Sequence, residues 1–326
     1  MRITIIITSI ALFLCSCAVN TSKGPTVETK RDSYKPLLYE YLNQRSFTVM
    51  TWNVEHFVDP YDNPYISNRR EDNPRSSMQP RIGIFLEALK NADADVVVLQ
   101  EFESAAYLRK LVNDNLPEMG YQFFADAPSQ NWYMNVVLMS KFPLGVLSTY
   151  GNVTTPVENY TDSLGRTETQ NHLNTRMWSV EVFPTEKYDF ILTGLHLKAG
   201  RGERNAGMRA GQIRFLKSQF ERYLSENSEK NILVVGDLNA TPESSEIQLL
   251  KRRDGKSKNS FTDPLAKTDY THPADNAERR IDYMLPNHNM IKELEEVTVQ
   301  YFFSAEKMRK ISDHLPVLSK FKSADQ

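Results

Sequence analysis

From Phe47 onward, short apolar runs alternate with amphipathic stretches, and no repeat or low-complexity tract interrupts them. Runs rich in β-branched and aromatic residues predict strands at Thr48–Trp52, Val96–Leu99, Asn135–Met139, Met177–Phe183, Phe190–Leu195, Ile232–Val235, Arg280–Leu285 and Val317–Phe321. Helical spacing places Ile82, Phe85, Leu86 and Leu89 on one face of residues 80–92. It does the same for Met208, Ile213, Phe215, Leu216 and Phe220 within 207–224. Residues 59–80, rich in Pro, Asn and Arg, and residues 251–260 read as surface loops. The pattern is mixed α/β, and 326 residues suit either two average domains or one large layered body.

The N-terminus follows a different rule. Met1-Arg2 and the apolar run Ile3–Leu14 form a positively charged start and a hydrophobic segment too short to span a bilayer, as a signal peptide does. Leu14-Cys15-Ser16-Cys17 is similar to a bacterial lipobox, with cleavage before Cys17 and lipid attachment to it. An ordinary secretory signal with incidental cysteines is the alternative. The expected division is a signal peptide over 1–16, a lipidated Cys17 and polar tether over 17–35, and a single folded body over 36–326. The protein is then exported and anchored to a bacterial membrane, at the outer membrane or a periplasmic face.

Composition narrows the chemistry. Both cysteines, Cys15 and Cys17, lie in this leader, so the body has no thiol for a disulfide, a thiolate metal site or a nucleophile. The formal charge is −2, and loss of Arg2 with a cleaved leader makes it −3, so any polyanion site must be local. No phosphate-cradling glycine loop of the nucleotide-triphosphate kind is present.

Several predicted strands end in clusters of polar residues. Trp52-Asn53 presents a carboxamide, able to meet a cation or phosphate or simply to cap a strand. Gln100-Glu101 delivers a hard oxygen ligand suited to Mg²⁺, or a solvated glutamate opening a helix. His196 and Lys198 pair an imidazole with an ammonium group, suited to a phosphoryl oxygen, although a lone histidine at a strand end is often structural. Arg201, Arg204, Arg209 and Arg214 concentrate positive charge after them, or form a solvated helix face. Gly236-Asp237-Leu238-Asn239 is the sharpest signal: Gly236 allows close approach, and Asp237 and Asn239, two apart, face one way in an extended chain. Asp237 can deprotonate a water, with Asn239 holding that water or the phosphate, or the two can form a turn closed by Pro242. Asp282 lies inside an apolar strand and so requires a partner, and Ser312-Asp313-His314 offers one: Asp282 can fix the tautomer of His314, or Asp313-His314 can be a helix-to-strand turn stopped by Pro316.

In order, these clusters resemble the motif series of the endonuclease/exonuclease/phosphatase superfamily, which includes deoxyribonuclease I. The motifs run from residue 52 to 314 and favour one domain over two. The resemblance implies a four-layer α/β/β/α sandwich with two mostly antiparallel sheets and a site at one edge. It also implies Glu101 as principal ligand of Mg²⁺ (or Mn²⁺), Asn53 assisting, and Asp313 in the metal region. Asp237 would activate water, Asn239 position it, and His196 and His314 contact the scissile phosphate, with His314 oriented by Asp282. Arg176, before a central strand, and Lys198 would bind phosphate.

There are departures from the pattern. Deoxyribonuclease I pairs its first catalytic histidine with a glutamate, and the comparable place here carries Asn135. The blocks that surround these motifs in inositol polyphosphate phosphatases are missing. The expected function is divalent-metal-dependent phosphodiester hydrolysis by an exported nuclease acting on DNA or RNA. The alternatives are a phosphatase or phosphodiesterase for lipid head groups or small esters, and an inactive binding lipoprotein. Arg69, Arg70, Arg75 and Arg81 would extend a polyanion surface.

Overall fold

The computed structural model describes residues 39–326, without 42–43, 73, 129–131, 152, 171–175 and 253–258 and without the side chains of 75–77. The predicted leader, Cys17 and the tether lie outside the described residues. The described residues form one compact unit.

Two sheets are built on the same plan. The first is ordered β12 (Leu294–Val299), β13 (Val317–Lys322), β1 (Ser46–Phe57), β2 (Val96–Phe102), β4 (Asn135–Ser140), β3 (Phe123–Asp126). The second is ordered β11 (Asp282–Pro286), β10 (Ile232–Asp237), β9 (Phe190–His196), β8 (Met177–Val182), β5 (Leu144–Thr149). Each sheet is antiparallel except for one central parallel pair, β1 with β2 and β9 with β10. Parallel neighbours need a crossover, which helices supply. Helices α1 (Arg69–Asp72) and α2 (Pro74–Ala92) join β1 to β2, and α4 (Glu203–Glu226) joins β9 to β10.

Alternation along the strands makes the layers. In β2, Val96 and Val98 face the second sheet, while Val97 and Leu99 face α2, α3 (Ala105–Asn115) and α6 (Ala305–Ile311). In β10, Leu233 and Val235 meet that same inter-sheet core, and Ile232 and Val234 pack under α4 and α5 (Ser245–Lys251). Both faces of each central strand are buried, so these strands read as continuous apolar runs. The result is the expected order of helix, sheet, sheet, helix. A separate hairpin, β6 (Thr155–Thr161) with β7 (Thr167–Gln170), lies against α4. Among the described residues no helix is long and apolar enough to cross a membrane.

The eight predicted strands are present, with the seventh displaced: Arg280 and Ile281 precede β11, which begins at Asp282. The predicted loop over 59–80 is corrected, because α1 occupies 69–72 and α2 starts at Pro74, six residues before the predicted start. Proline at the first helical position costs no hydrogen bond, and Pro80 is carried inside the helix rather than marking its boundary. Strands β3, β5 and β12 were not predicted. They lie at sheet edges and are half-buried, and so lack the unbroken apolar signature.

Gly236 has φ +134°, and a Cβ there would lie 2.0 Å from the carbonyl oxygen of Leu195 on β9. Gly236→Ala is expected to lower unfolding stability by about 3 kcal/mol, the combined order of overpacking and backbone strain. Gly83→Ala, where a Cβ meets nothing within 4 Å, should raise it by about 0.5–1 kcal/mol. Urea midpoints of the two variants test both signs.

Candidate active site

The site forms where both parallel pairs end. Parallel neighbours bring their C-terminal ends to one edge of a sheet, and here two such edges meet. Asn53 closes the regular part of β1, and Glu101 comes at the end of β2. His196 and Asp237 are cross-strand partners at the ends of β9 and β10, and Asp237 is also the register partner of Asp282 on β11.

The backbone is irregular where the first sheet supplies its ligands. By alternation Glu101 belongs with Val97 and Leu99 on the face away from Asn53. Its left-handed backbone, φ +59°, breaks that alternation. Opposite it, β1 bulges between Asn53 and Phe57, with Glu55 at φ +45° and His56 at φ +50°. Glu101 then meets Asn53 Nδ2 through Oε1 at 3.2 Å and the His56 main-chain N–H through Oε2 at 3.1 Å.

Asn53 Nδ2 also donates to Asp237 Oδ2 at 3.1 Å, so one amide links carboxylates of both sheets. Asn239, left-handed at φ +51°, folds back on Asp237: its main-chain N–H reaches Oδ1 at 2.8 Å and its Nδ2 reaches Oδ2 at 3.2 Å. His196 Nε2 stands 3.5 Å from Asp237 Oδ2 and 3.9 Å from Glu101 Oε1. His314 Nε2 is 4.0 Å from Asp237 Oδ2 and 3.8 Å from Asp313 Oδ1, while its Nδ1 is 2.9 Å from Asp282 Oδ2. Asn53, Glu101, His196, Asp237, Asn239, Asp282, Asp313 and His314 are thus brought together by short steps.

The charges divide the imidazoles. Burial, followed by the charge of Arg176, holds the His196 imidazole well below its ordinary value, so it is neutral. Burial would lower His314 too, but the Asp282 carboxylate overcomes it and pushes the ring up to about 10, an imidazolium at neutral pH. Burial and then Asp282 push the Asp237 carboxyl up to about 7. Asp313 goes the other way: burial raises it, but the hydrogen bond from His272 and the His314 charge bring it down to about 2.

An oxygen-rich group of this kind fits a hard divalent cation. Glu101 is 15% exposed and each of its oxygens accepts one hydrogen bond, which leaves lone pairs free. Asn53 as placed directs its nitrogen at the carboxylates and its oxygen at the Glu55 N–H, so ligation through that oxygen requires the amide to flip. Asp313 is at the site, but its near neighbours are His272 and His314, with His272 Nε2 at 3.4 Å.

The flanking cations depart from expectation. Arg204 pairs with Glu168, Arg214 with Glu158, and Arg209 is buried against Glu246 at 2.8 Å. The expected basic stretch after Lys198 is therefore largely neutralised, because α4 packs these arginines against acidic partners. Arg81 does not extend a polyanion surface either: its guanidinium is buried on the main-chain carbonyls of Val54, Glu55, His56 and Ile311. Arg70 pairs with Glu55, and the side chain of Arg75 is outside the description. Arg201 and Arg279 do line a cavity of about 230 Å³ beside Asn239. Lys198 is half-buried, and burial lowers its ammonium. Arg176 has its Nε buried without a hydrogen-bond partner; burial lowers its guanidinium, and the charges of Glu101 and Asp237 oppose that. Asn135 donates to the Glu103 carbonyl at 2.6 Å.

Sequence reading missed His56, Tyr133 and His272. His56 Nε2 lies 3.6 Å from Glu101, and its Nδ1 lies 2.6 Å from the Tyr133 hydroxyl. Four of the six histidines, His56, His196, His272 and His314, gather here. Scarcity combined with position at strand ends was a usable signal for His56. His272 lies between strands and gave none.

The sequence matches the model described as "Endonuclease/Exonuclease/phosphatase family" over residues 50–314. No curated protein matches it significantly. Among solved structures, it is similar to an endonuclease/exonuclease/phosphatase from Bacteroides vulgatus at 16% identity and TM-score 0.56, covering 86% of this chain and 100% of that one. The human Nocturnin catalytic domain with bound sulfate anion is similar at 17% identity and TM-score 0.57, covering 89% and 98%. A 3′ phosphatase from Neisseria bound to product DNA hairpin is similar at 16% identity and TM-score 0.54, covering 84% and 99%. At these identities the structural likeness concerns the fold.

Asp282→Asn should move the His314 ring titration down by about 2 pH units or more, read by NMR of its ring protons. Because the folded value of about 10 lies above the ordinary 6.5, the stability this pair supplies is complete below pH 6.5 and is lost as pH rises through about 10. Asp237, raised from 3.8 to about 7, acts with the same sign at lower pH. Urea midpoints across that range should therefore fall more steeply for the wild type than for Asp282→Asn.

Proposed function

We propose, from the premise that this chain belongs to the endonuclease/exonuclease/phosphatase family, that it is a divalent-metal-dependent phosphodiester hydrolase, and specifically an exported nuclease acting on DNA or RNA. The observation that carries this reading is the convergence of Glu101, His196, Asp237 and His314 around the Asn53 amide, each within 4.0 Å of another member.

In this reading Glu101, assisted by Asn53, holds Mg²⁺ or Mn²⁺. The bound cation supplies polarisation of a phosphoryl oxygen and compensation of its charge. Asp237, poised near neutrality by its buried setting, takes a proton from the attacking water. Asn239 holds Asp237 in place and offers its amide to that water or to phosphate. The His314 imidazolium, fixed by Asp282 as a positioning residue, donates to a phosphoryl oxygen as negative charge builds. His196, neutral and with Nε2 toward the site, donates a hydrogen bond without adding charge. Asp313 shapes the electrostatics of His314 and the metal region. Lys198 and Arg176 bind non-bridging oxygens, and the unpartnered Nε of Arg176 supports that role.

A second reading, a phosphatase or phosphodiesterase for small phosphoesters or lipid head groups, is favoured by the neutralised arginines of α4. Export and lipid anchoring at Cys17 belong to the same proposal and rest on the leader sequence.

Purified protein with Mg²⁺ is expected to degrade plasmid DNA or RNA, and chelation with EDTA should abolish this until Mg²⁺ or Mn²⁺ is restored. Asp237→Ala should reduce the rate by about 10³-fold or more. Intact polymer at high enzyme, with hydrolysis of small phosphoesters, would transfer the activity to the second reading. No turnover of either class would reject both.

A further inference from the structure

The loop after β1 and the short helix α1 carry a second group of carboxylates, outside the site described above. Asp62, Glu71 and Asp72 place one oxygen each within 4.8 Å of one another. Three like charges so close repel unless something neutralises them. Among the described residues, no lysine or arginine forms an ion pair with any of the three, and the neighbouring Arg70 turns instead to Glu55.

Glu71 sharpens the problem. Its side chain is 0% exposed, and Oε2 is buried with no hydrogen-bond partner. Its other oxygen accepts the Asn63 N–H, and Asp72 Oδ1 accepts the Asn68 N–H, so the main chain anchors two of the three carboxylates. A buried, unpartnered carboxylate oxygen is costly, and carboxylates in such a setting are commonly found on a metal.

We propose that Asp62, Glu71 and Asp72 hold a structural Ca²⁺ ion that fixes the segment between β1 and α1. The donors are all hard carboxylate oxygens close enough to share one ion, and Ca²⁺ accepts such a set in flexible geometry. Asp62 and Asp72 are exposed, so water completes the shell. Mg²⁺ demands a tighter octahedron, which residues from an irregular loop and a one-turn helix supply less readily.

The consequence reaches the candidate active site. The Asp59 main-chain N–H donates to Glu103, two residues beyond Glu101, and Arg70 reaches Glu55 beside His56. The same segment carries Tyr61 and Tyr65, which are 68% and 87% exposed. A cation at Glu71 thereby steadies a segment that contacts Glu103 and Glu55, without touching the reacting atoms. The proposal stands apart from the assigned activity, since it requires only that the ion bind.

The test is calorimetric titration of the metal-free full-length protein with Ca²⁺, together with its melting temperature. Ca²⁺ should bind and raise the melting temperature by about 5 °C at saturation. Glu101→Gln should keep that response, which separates this ion from one in the active site. Glu71→Gln and Asp62→Asn should each weaken binding at least about tenfold, and Asp62, being exposed, decides the matter if the Glu71 variant does not fold. A response lost in Glu101→Gln, retained in Asp62→Asn, or absent from the wild type overturns the proposal.

Discussion

One amide group joins the two halves of this protein at its chemical end. Asn53 Nδ2 donates to Glu101 of the first sheet at 3.2 Å and to Asp237 of the second at 3.1 Å. Both carboxylates are positioned by strands whose inner faces form the inter-sheet core, so the distance between them is set by how the sheets pack. A displacement of either sheet changes that bridge first, and with it the spacing of every group that can meet a phosphate.

The duplicated plan of the sheets explains why the site is where it is. A parallel pair with a helical crossover delivers two C-terminal strand ends to one edge, whereas an antiparallel pair brings one C-terminal and one N-terminal end. Two such pairs, β1 with β2 and β9 with β10, therefore contribute four groups, and β11 and the turn into β13 add Asp282 and His314 from the outside. Among the described residues, four of the six non-glycine residues with left-handed backbones lie at the same place, Glu101, Glu55, His56 and Asn239. Conformations of that kind persist where the surrounding structure overdetermines them, and here a bulge, two buried carboxylates and their hydrogen bonds do so.

Charge is handled by separation rather than by surplus cations. His314 is charged against Asp282, His196 is kept neutral by burial, and most of the arginines that the sequence collects after Lys198 are spent on acidic partners. In the proposed function, affinity for an anionic substrate comes from the centre itself and from a few side chains such as Arg176, Lys198, Arg201 and Arg279 rather than from a basic face. A net charge of −2 for the whole chain is compatible with that economy.

The central strands and the two long helices were legible because burial on both faces, or along one stripe, writes a long apolar signature into the chain. The site residues were legible for a related reason: Asn53, Glu101, His196, Asp237, Asp282 and His314 are polar groups at the ends of those apolar runs, where solvation alone does not explain them. The edge strands, α1 and the early start of α2 were not legible, since half-exposed residues and prolines carry little periodicity. Nor could sequence show that Arg209 would be buried against Glu246, or that His56 and His272 would join the group, because those contacts join residues far apart in the chain. Local patterning thus determined which segments form strands and which polar residues they end in. Only the packing of one sheet on the other decided which of those ends meet, since distance between non-neighbours is a property of the assembled core and not of any stretch of chain.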